Sequence, residues 1–213
     1  MTKHALIIDL KGALLKPRPF DIAHKEWFRI MAELIKDYSI NEFSFLPDYF
    51  VHVQEIMKKY LGDIDIKSRN AFARNIYAMA VVESIKKWDV VDDFAEFLRS
   101  IKKKYVIVLI TTAPTAAVNG ILEKTNCKDL FDLIIAGPME DMPSKKELIE
   151  LFIKKHAKPL FYIGHGDKDI VTCKELGIKT ISVNWVEQGE FKGNFEANKV
   201  EDLKNILERF VIE

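Results

Sequence analysis

The sequence predicts an α/β fold, in which a parallel β-sheet lies between two layers of helices and carries a small all-helical insert. Two observations support this prediction. From residue 89 onwards, short apolar segments typical of buried strands alternate with amphipathic helical segments. Before that point, one apolar segment stands at residues 4–9, and residues 18–88 contain only helical patterns. Strands that alternate with helices form parallel sheets, because each crossover returns the chain to the same end of the sheet.

The first strand is predicted in the sequence HALIID, which is apolar and ends in Asp9. A loop containing Gly12 follows it. Pro17 and Pro19 then prevent regular structure from continuing, because proline fixes its own backbone and lacks an N–H donor. The helical pattern begins directly after this interruption.

The insert is predicted to contain three helices. The second is expected to begin at Pro47 and Asp48, which favour a helix start, and the third has Ser68 as a candidate N-cap. The large aromatic residues of the insert are expected to form its core rather than a substrate site. They are Phe20, Trp27, Phe28 and Tyr49. The predicted domains are a core of residues 1–17 and 89–213 and a helical cap of residues 18–88.

The remaining elements follow from the same patterns. The β-branched run YVIVLITT predicts a central strand that is buried on both faces. Pro114 and Gly177 mark the start of one helix and the end of another. In order, the predicted elements are helix 92–104, strand 105–112, helix 114–125, strand 131–137, helix 144–157, strand 159–164, helix 168–177, strand 179–185 and helix 200–210.

The composition argues against several classes of protein. Lys and Arg number 32, as do Asp and Glu, so the formal net charge is zero and no nucleic acid or membrane partner is expected. No apolar segment approaches the ~20 residues that span a bilayer, and no signal-peptide pattern is present, so we expect a cytoplasmic protein. Cys127 and Cys173 lack the C-x-x-C spacing of a zinc or redox site and are predicted to be reduced, buried thiols.

Polar residues stand at the carboxyl ends of the predicted strands, where α/β sheets bind their ligands. Asp9 ends the first strand and could act as a nucleophile, although an aspartate here more often only caps a turn. Thr111 and Thr112 end the second strand, directly before a helix. A hydroxyl group and free N–H groups at a helix start can bind an anion, and the alternative is a simple N-cap.

Two further groups lie at the same predicted edge. Lys145 and Lys146 begin the helix after the third strand and could neutralise an anion, although lysines on a helix are usually solvated. Asp167 and Asp169 lie in the glycine-containing loop of YIGHGDKDI, which could supply oxygen ligands to Mg²⁺ or form a polar turn.

Taken together and in this order, these segments resemble the haloacid dehalogenase-like superfamily, in its phosphatase-type branch with a helical cap after the first motif. The resemblance covers essentially the whole chain and implies a Rossmann-like three-layer core. The first family motif, D-x-D-G-T, stands here as DLKGA and begins at Asp9. Thr111 matches the second motif, and Lys145 matches the lysine of the third loosely. The fourth motif, G-D-x-x-x-D, stands as GHGDKD, with Gly164 and Asp169 retained.

The departures from these motifs concern charge. Lys11 replaces the second acid of the first motif, Ala13 replaces its threonine, and His165 replaces the first acid of the fourth motif. We expect the ammonium of Lys11 to take part of the place and charge of magnesium and to favour an ionised Asp9. Histidine is the side chain whose ordinary pKa lies nearest neutrality, so His165 is the candidate general acid and base.

The resemblance implies a hydrolase of a small phosphorylated or anionic metabolite, in a monomer or a dimer. Asp9 would attack phosphorus, while Thr111 and Lys145 would hold the phosphate. The further predicted substrate contacts are Gly12, Thr112 and Lys146. The changes at residues 11 and 165 argue against a bound Mg²⁺, for which the candidate ligands are Asp9, Asp169 and Asp167.

Two alternatives remain open. One is a non-catalytic or regulatory protein that keeps an anion-binding pocket, and the other is a metal-independent hydrolase of the dehalogenase type that attacks carbon. Arg69 and Arg74 of the third cap helix could contact an anion, although solvated positions are favoured for both. Substrate specificity is expected to reside in the cap.

Overall fold

The computed structural model describes residues 3–46, 49–186 and 192–210. At its centre is a six-stranded sheet with the order β3-β2-β1-β4-β5-β6, in which every pair of neighbours is parallel. The predicted parallel α/β fold is thus confirmed. The strands are β1 (His4–Ile8), β2 (Tyr105–Pro114), β3 (Leu133–Gly137), β4 (Phe161–Gly164), β5 (Thr180–Val183) and β6 (Phe195–Ala197).

Helices cover both faces of this sheet. Because successive side chains of a strand point to opposite faces, Leu6 and Ile8 join one hydrophobic cluster and Ile7 joins another. The helices on the two faces are α4 (Asp92–Ile101), α5 (Thr115–Thr125), α6 (Lys145–Lys155), α7 (Asp167–Glu175) and α8 (Val200–Glu208). The first cluster includes residues of α4, α5 and α8, and the second includes residues of α6 and α7. Cys127 and Cys173 are buried, free thiols, as expected.

Among the described residues between β1 and α4 there are three α-helices, and they have a hydrophobic cluster of their own. Trp27 and Phe28 pack in it, and the indole N–H of Trp27 donates to the carbonyl of Ala73 at 3.0 Å. The helices are α1 (Arg18–Ile35), α2 (Tyr49–Tyr60) and α3 (Ile66–Ser84), with a 3₁₀ helix at Tyr38–Phe45. The two domain boundaries stay a prediction. None of the described helices combines the length and the apolar character needed to cross a membrane.

The helix starts of this segment differ in part from the prediction. α1 begins within the proline-containing segment, with Pro17 as its N-cap and Pro19 in its first turn, where a missing N–H costs nothing. The N-cap of α3 is Asp65 rather than Ser68. Its carboxylate accepts the N–H groups of Lys67 and Ser68 at 3.0 and 3.1 Å, so Ser68 lies inside the first turn. The predicted helix start at residues 47–48 lies outside the described residues.

Close packing of α3 against α5 holds the helical segment above the sheet. A Cβ atom at Gly120 of α5 would lie 2.5 Å from Cγ2 of Val82 of α3, so only glycine permits this approach. α3 therefore passes over the carboxyl ends of β2 and β3, which is where the candidate site lies. β6 was not predicted, because its three residues carry no periodic pattern.

Candidate active site

Asp9 and Lys145 form a buried ion pair at the carboxyl edge of the sheet. Asp9 follows β1 and is 7% exposed, and Lys145 is the first residue of α6 and is 8% exposed. The ammonium of Lys145 lies 2.7 Å from Oδ1 of Asp9, 2.8 Å from the carbonyl oxygen of Ile110 and 3.1 Å from Oδ2 of Asp169. All three donors of the ammonium therefore have an acceptor.

The charges of this cluster depend on one another. Burial acts to lower the pKa of Lys145, but the carboxylates of Asp9 and Asp169 outweigh it and raise the pKa to about 12. Burial raises the pKa of Asp9, and the ammonium of Lys145 acts in the opposite direction. Lys145 is thus the group that favours the ionised form of Asp9, the form in which a carboxylate can attack a substrate.

Tyr162 is a member of the cluster that the sequence did not reveal. It is fully buried in β4, its hydroxyl donates to Oδ2 of Asp169 at 2.9 Å, and the ammonium of Lys145 lies 5.6 Å from its ring centroid. Gly164 makes this arrangement possible, because a Cβ there would lie 2.7 Å from the hydroxyl of Tyr162 and 2.9 Å from Cβ of Asp9. The available signal was a tyrosine in the otherwise apolar strand segment FYIG.

Thr111 and Thr112 take different positions near the end of β2, which runs on to Pro114. Thr111 is buried, and its hydroxyl accepts the N–H of Ala113 at 3.2 Å. Thr112 is more exposed, and its carbonyl accepts a hydrogen bond from Arg74 at 2.9 Å. Both threonines line the same cavity as Asp9 and Lys145.

Lys11 does not form the ion pair with Asp9 that the sequence suggested. Its ammonium lies 2.9 Å from Oδ1 of Asp21 on α1, and the two side chains are 44% and 55% exposed. Lys11 also lines the cavity, so this pair joins the loop after β1 to α1 at the cavity. The cation beside Asp9 is Lys145, because α6 begins at the sheet edge and directs its first side chain towards β1.

His165 lines the cavity next to the loop after β1. Its Nδ1 lies 3.2 Å from the carbonyl oxygen of Val183, which can only accept, so Nδ1 carries the proton. Gly12, with a φ of +82°, lies against the imidazole of His165, and a Cβ at residue 12 would approach Cβ of His165 to 2.7 Å. Gly12 is therefore a packing position and does not line the cavity.

Besides Gly12, the predicted site residues Lys146 and Asp167 lie outside the cavity. The ammonium of Lys146 lies 3.4 Å from Glu175, and both side chains are about half exposed. Consecutive residues of a helix point about 100° apart, so Lys145 and Lys146 cannot both face the sheet edge. Asp167 begins α7 and does not line the cavity.

The donor groups at the sheet edge do not fit a magnesium site. Mg²⁺ prefers oxygen ligands, but the carboxylates of Asp9 and Asp169 share the ammonium of Lys145, and an imidazole stands at residue 165. Within residues 3–46, 49–186 and 192–210, no group of three or more His, Cys, Asp or Glu residues could hold a metal ion. The ammonium of Lys145 places a positive charge between the carboxylates of Asp9 and Asp169.

A cavity of about 420 Å³ lies between the sheet edge and α1, α2 and α3. Its polar floor is formed by Asp9, Thr111 and Lys145. The aromatic residues that line it come from the helical segment and are Phe20, Trp27, Phe28, Tyr49, Phe50 and Tyr77. Trp27, Phe28 and Tyr49 also pack in the hydrophobic cluster of the helical segment, as expected, whereas Phe20 packs in the cluster that includes α4, α5 and α8.

Three titratable rings, those of His24, Tyr49 and Tyr77, contact one another within the aromatic wall. His24 lies between Tyr49 and Tyr77, with ring centroids 4.1 and 5.4 Å away, and its Nε2 lies 2.9 Å from the hydroxyl of Tyr49. Burial, with a smaller contribution from Lys11, lowers the pKa of His24 to about 4. The wall is therefore uncharged at neutral pH.

Arg74 also lines the cavity, from α3. It is 8% exposed, so the expectation that it lies on a solvated face is wrong. Arg69 does not line the cavity, and its guanidinium lies 3.4 Å from the carbonyl oxygen of Gly62.

The chain is similar to known proteins. The family model described as haloacid dehalogenase-like hydrolase matches residues 23–183. Over 139 residues, the chain is 25% identical to the pyrophosphatase PpaX of Bacillus mycoides, and the match covers 60% of this chain and 62% of that protein. The chain thus spans less than two thirds of the length of this curated relative.

Solved structures share the fold. A protein of Clostridium acetobutylicum described as a predicted phosphatase has a TM-score of 0.68 and 19% identity, with 98% of this chain and 100% of that chain covered. The HAD-hydrolase YfnB of Bacillus subtilis, whose structure is described as bound to magnesium, has a TM-score of 0.58 and 15% identity, with 97% and 99% covered.

Proposed function

The chain belongs to the haloacid dehalogenase-like hydrolase family, and we propose that it hydrolyses a small phosphorylated metabolite with Asp9 as the nucleophile. One observation carries the proposal. A buried carboxylate, Asp9, lies 2.7 Å from the buried ammonium of Lys145 on the floor of a cavity large enough for a small molecule. Such a pair supplies a nucleophile and a positive charge for an incoming anion in the same place.

The proposed reaction has two steps. A carboxylate oxygen of Asp9 attacks phosphorus, the bond from phosphorus to the ester oxygen breaks, and the leaving alcohol takes up a proton. Water then attacks the aspartyl phosphate, which releases phosphate and restores the carboxylate. The positive charge of Lys145 and the hydroxyl of Thr111, which line the cavity beside Asp9, would stabilise the phosphate oxygens during both steps.

We assign the role of proton donor and acceptor in this reaction to His165. Because Nδ1 donates to the carbonyl of Val183, Nε2 is the nitrogen of His165 that would accept and donate the proton. The ammonium of Lys11 pairs with Asp21 and is a poor general acid near neutrality. An unchanged rate in His165→Ala would remove His165 from this role.

The proposal contains no metal-dependent step. The positive charge at the phosphate comes from Lys145, which is held by Asp9, Asp169 and the carbonyl of Ile110. The proposed hydrolase therefore differs from a phosphatase whose carboxylates gather around Mg²⁺.

A second candidate is a non-catalytic or regulatory anion-binding protein. The observation that favours it is Lys11, which stands where the family has its general acid and base, and which pairs with Asp21 instead. In this case the cavity would bind a phosphorylated ligand without turnover.

The test is phosphate release from a panel of small phosphoesters, with magnesium or with EDTA, in the native protein and in Asp9→Asn. Release that resists EDTA and is lost in Asp9→Asn would support the proposal. Release that requires magnesium would keep the nucleophile and overturn the metal-free reaction. No release above that of Asp9→Asn, with heat stabilisation by phosphate, would favour the anion-binding candidate. Halide release from small haloacids in the same assay would instead support attack on carbon.

A further inference from the structure

Arg74 is a buried cation without a balancing carboxylate. Its only hydrogen bond in residues 3–46, 49–186 and 192–210 runs from Nη2 to the carbonyl oxygen of Thr112, at 2.9 Å. The Nε of Arg74 is buried and has no partner in this part of the chain. No ion pair of the described residues includes Arg74, whose pKa is lowered by burial and raised only by Tyr77. A buried charge in this state costs free energy until an anion binds it.

The sheet edge is shaped to admit this guanidinium. A Cβ atom at Gly137, the last residue of β3, would lie 2.3 Å from Nη2 of Arg74 and 2.6 Å from the carbonyl oxygen of Thr112. Any other residue at this position would displace Arg74 or the end of β2. The glycine thus makes room for a charged side chain at the ends of β2 and β3.

A structural role does not account for the charge. The hydrogen bond between α3 and the end of β2 requires one N–H donor, which a neutral amide such as glutamine would provide without the cost of burying a cation. A guanidinium in contact with a cavity offers in addition a planar set of donors for a carboxylate or a phosphate. The charge therefore indicates an anionic ligand.

The position of Arg74 relative to Asp9 follows from the order of the strands. Asp9 ends β1, whereas Arg74 lies at the ends of β2 and β3, the next two strands in the sheet. Neighbouring strands lie about 4.8 Å apart, so the two sites are separated by about 5–10 Å along the edge. Both line the same cavity.

We propose that Arg74 binds a second anionic group of the substrate, a carboxylate or a second phosphoryl group, while the reacting phosphate lies at Asp9 and Lys145. The placement of the reacting phosphate at Asp9 and Lys145 rests on the proposed function. The substrate class is then a phosphate ester with a second anion a few bonds from the phosphorus. Phosphate esters of simple neutral alcohols lack the group that Arg74 binds.

The experiment measures binding rather than turnover, with phosphonates that cannot be hydrolysed. Butylphosphonate carries no second anion, 4-phosphonobutyrate replaces its terminal methyl with a carboxylate, and propane-1,3-diphosphonate carries a second phosphonate. Calorimetric titration compares the native protein with Arg74→Gln and with Arg69→Gln. Arg69 is the matched control, because it is an arginine of the same helix outside the cavity.

The native protein should bind at least one of the two doubly anionic ligands about ten-fold or more tighter than butylphosphonate. The tighter ligand identifies the second anion as carboxylate or phosphate. Arg74→Gln should lose this preference and keep its affinity for butylphosphonate, and Arg69→Gln should behave as the native protein. If Arg74→Gln does not fold, Arg74→Lys should retain the charge but reduce the preference, and the ligand series on the native protein tests the proposal by itself.

The inference is overturned if the native protein binds all three ligands equally, if it binds none, or if the preference survives in Arg74→Gln. The outcomes are separable from those of the proposed function. A preference that depends on Arg74 in a protein without phosphate release would overturn the hydrolase and leave the anion site standing. Phosphate release without any preference would overturn the anion site alone.

Discussion

The ammonium of Lys145 and the carboxylate of Asp9 lie 2.7 Å apart, although 136 positions separate the two residues in the chain. The pair joins the start of α6 to the end of β1, and both side chains are buried. Removal of one partner leaves the other charge without compensation, so this contact should matter for both stability and activity.

We expect Lys145→Met to destabilise the protein by about 3 kcal/mol, because Asp9 and Asp169 lose their shared cation. The rate with a phosphoester that the native protein hydrolyses should fall by a factor of about 100 or more. Lys146→Met is the matched comparison, since its ammonium reaches only the exposed Glu175. Thermal unfolding and steady-state kinetics measure both effects, and equal losses in the two variants would contradict the assignment of Lys145.

Two buried tyrosines of the sheet allow a paired test of the Asp169 contact. Tyr162→Phe should lower the free energy of unfolding by about 1–2 kcal/mol, because Oδ2 of Asp169 loses the hydrogen bond from the buried hydroxyl of Tyr162. Tyr105→Phe should be neutral or stabilising, since the hydroxyl of Tyr105 is buried and has no partner among the described residues. Denaturant unfolding of the two variants measures the difference, and a larger cost for Tyr105→Phe would refute this explanation.

His24 should make stability depend on pH. Its pKa is about 4 in the folded protein, because burial disfavours the imidazolium, and 6.5 in the unfolded chain. The unfolded state therefore binds more protons between these values. Stability should fall by about 3 kcal/mol as the pH falls from above 6.5 to below 4, and the loss from His24 levels off once the imidazole of the folded protein is also protonated.

The control for this prediction is a histidine outside the cavity. His24→Gln should flatten the pH dependence of the midpoint of urea unfolding, whereas His156→Gln, on the exposed end of α6, should leave it unchanged. A slope that persists in His24→Gln would assign the effect to other groups.

Restoring the acids of the family motifs should create a metal requirement. Lys11→Asp combined with His165→Asp would place four carboxylates at positions 9, 11, 165 and 169, which is a donor set that Mg²⁺ prefers. Calorimetric titration should detect Mg²⁺ binding to the double variant at least about ten-fold tighter than to the native protein. Equal affinity of both proteins for Mg²⁺ would show that the native residues already form a metal site.

Much of the fold could be predicted from sequence, because buried parallel strands and amphipathic helices leave strong local patterns. The same rule predicted that Asp9, Thr111 and Lys145 would lie at one edge, since the carboxyl ends of parallel strands lie together. The choice between Lys145 and Lys146 could not be made, because it depends on the rotation of α6 about its axis.

The residues that line the cavity from the helical segment were harder to predict from the sequence. Arg74 and His24 are ordinary positions of amphipathic helices in the sequence, and only the packing of the helical segment on the sheet places them in the cavity. Aromatic residues such as Trp27 have the same pattern whether they fill a core or line a cavity, and here they do both.

The floor of the cavity comes from the strand ends, whereas its walls come from α1, α2 and α3. The residues of the proposed reaction and most residues of the cavity wall are thus encoded in separate stretches of the gene. Replacing the stretch for residues 18–88 with that of a relative would transplant a new substrate range onto unchanged reactive groups. Gly120 is the position to conserve in such a chimera, because its contact with Val82 determines how the two stretches fit together.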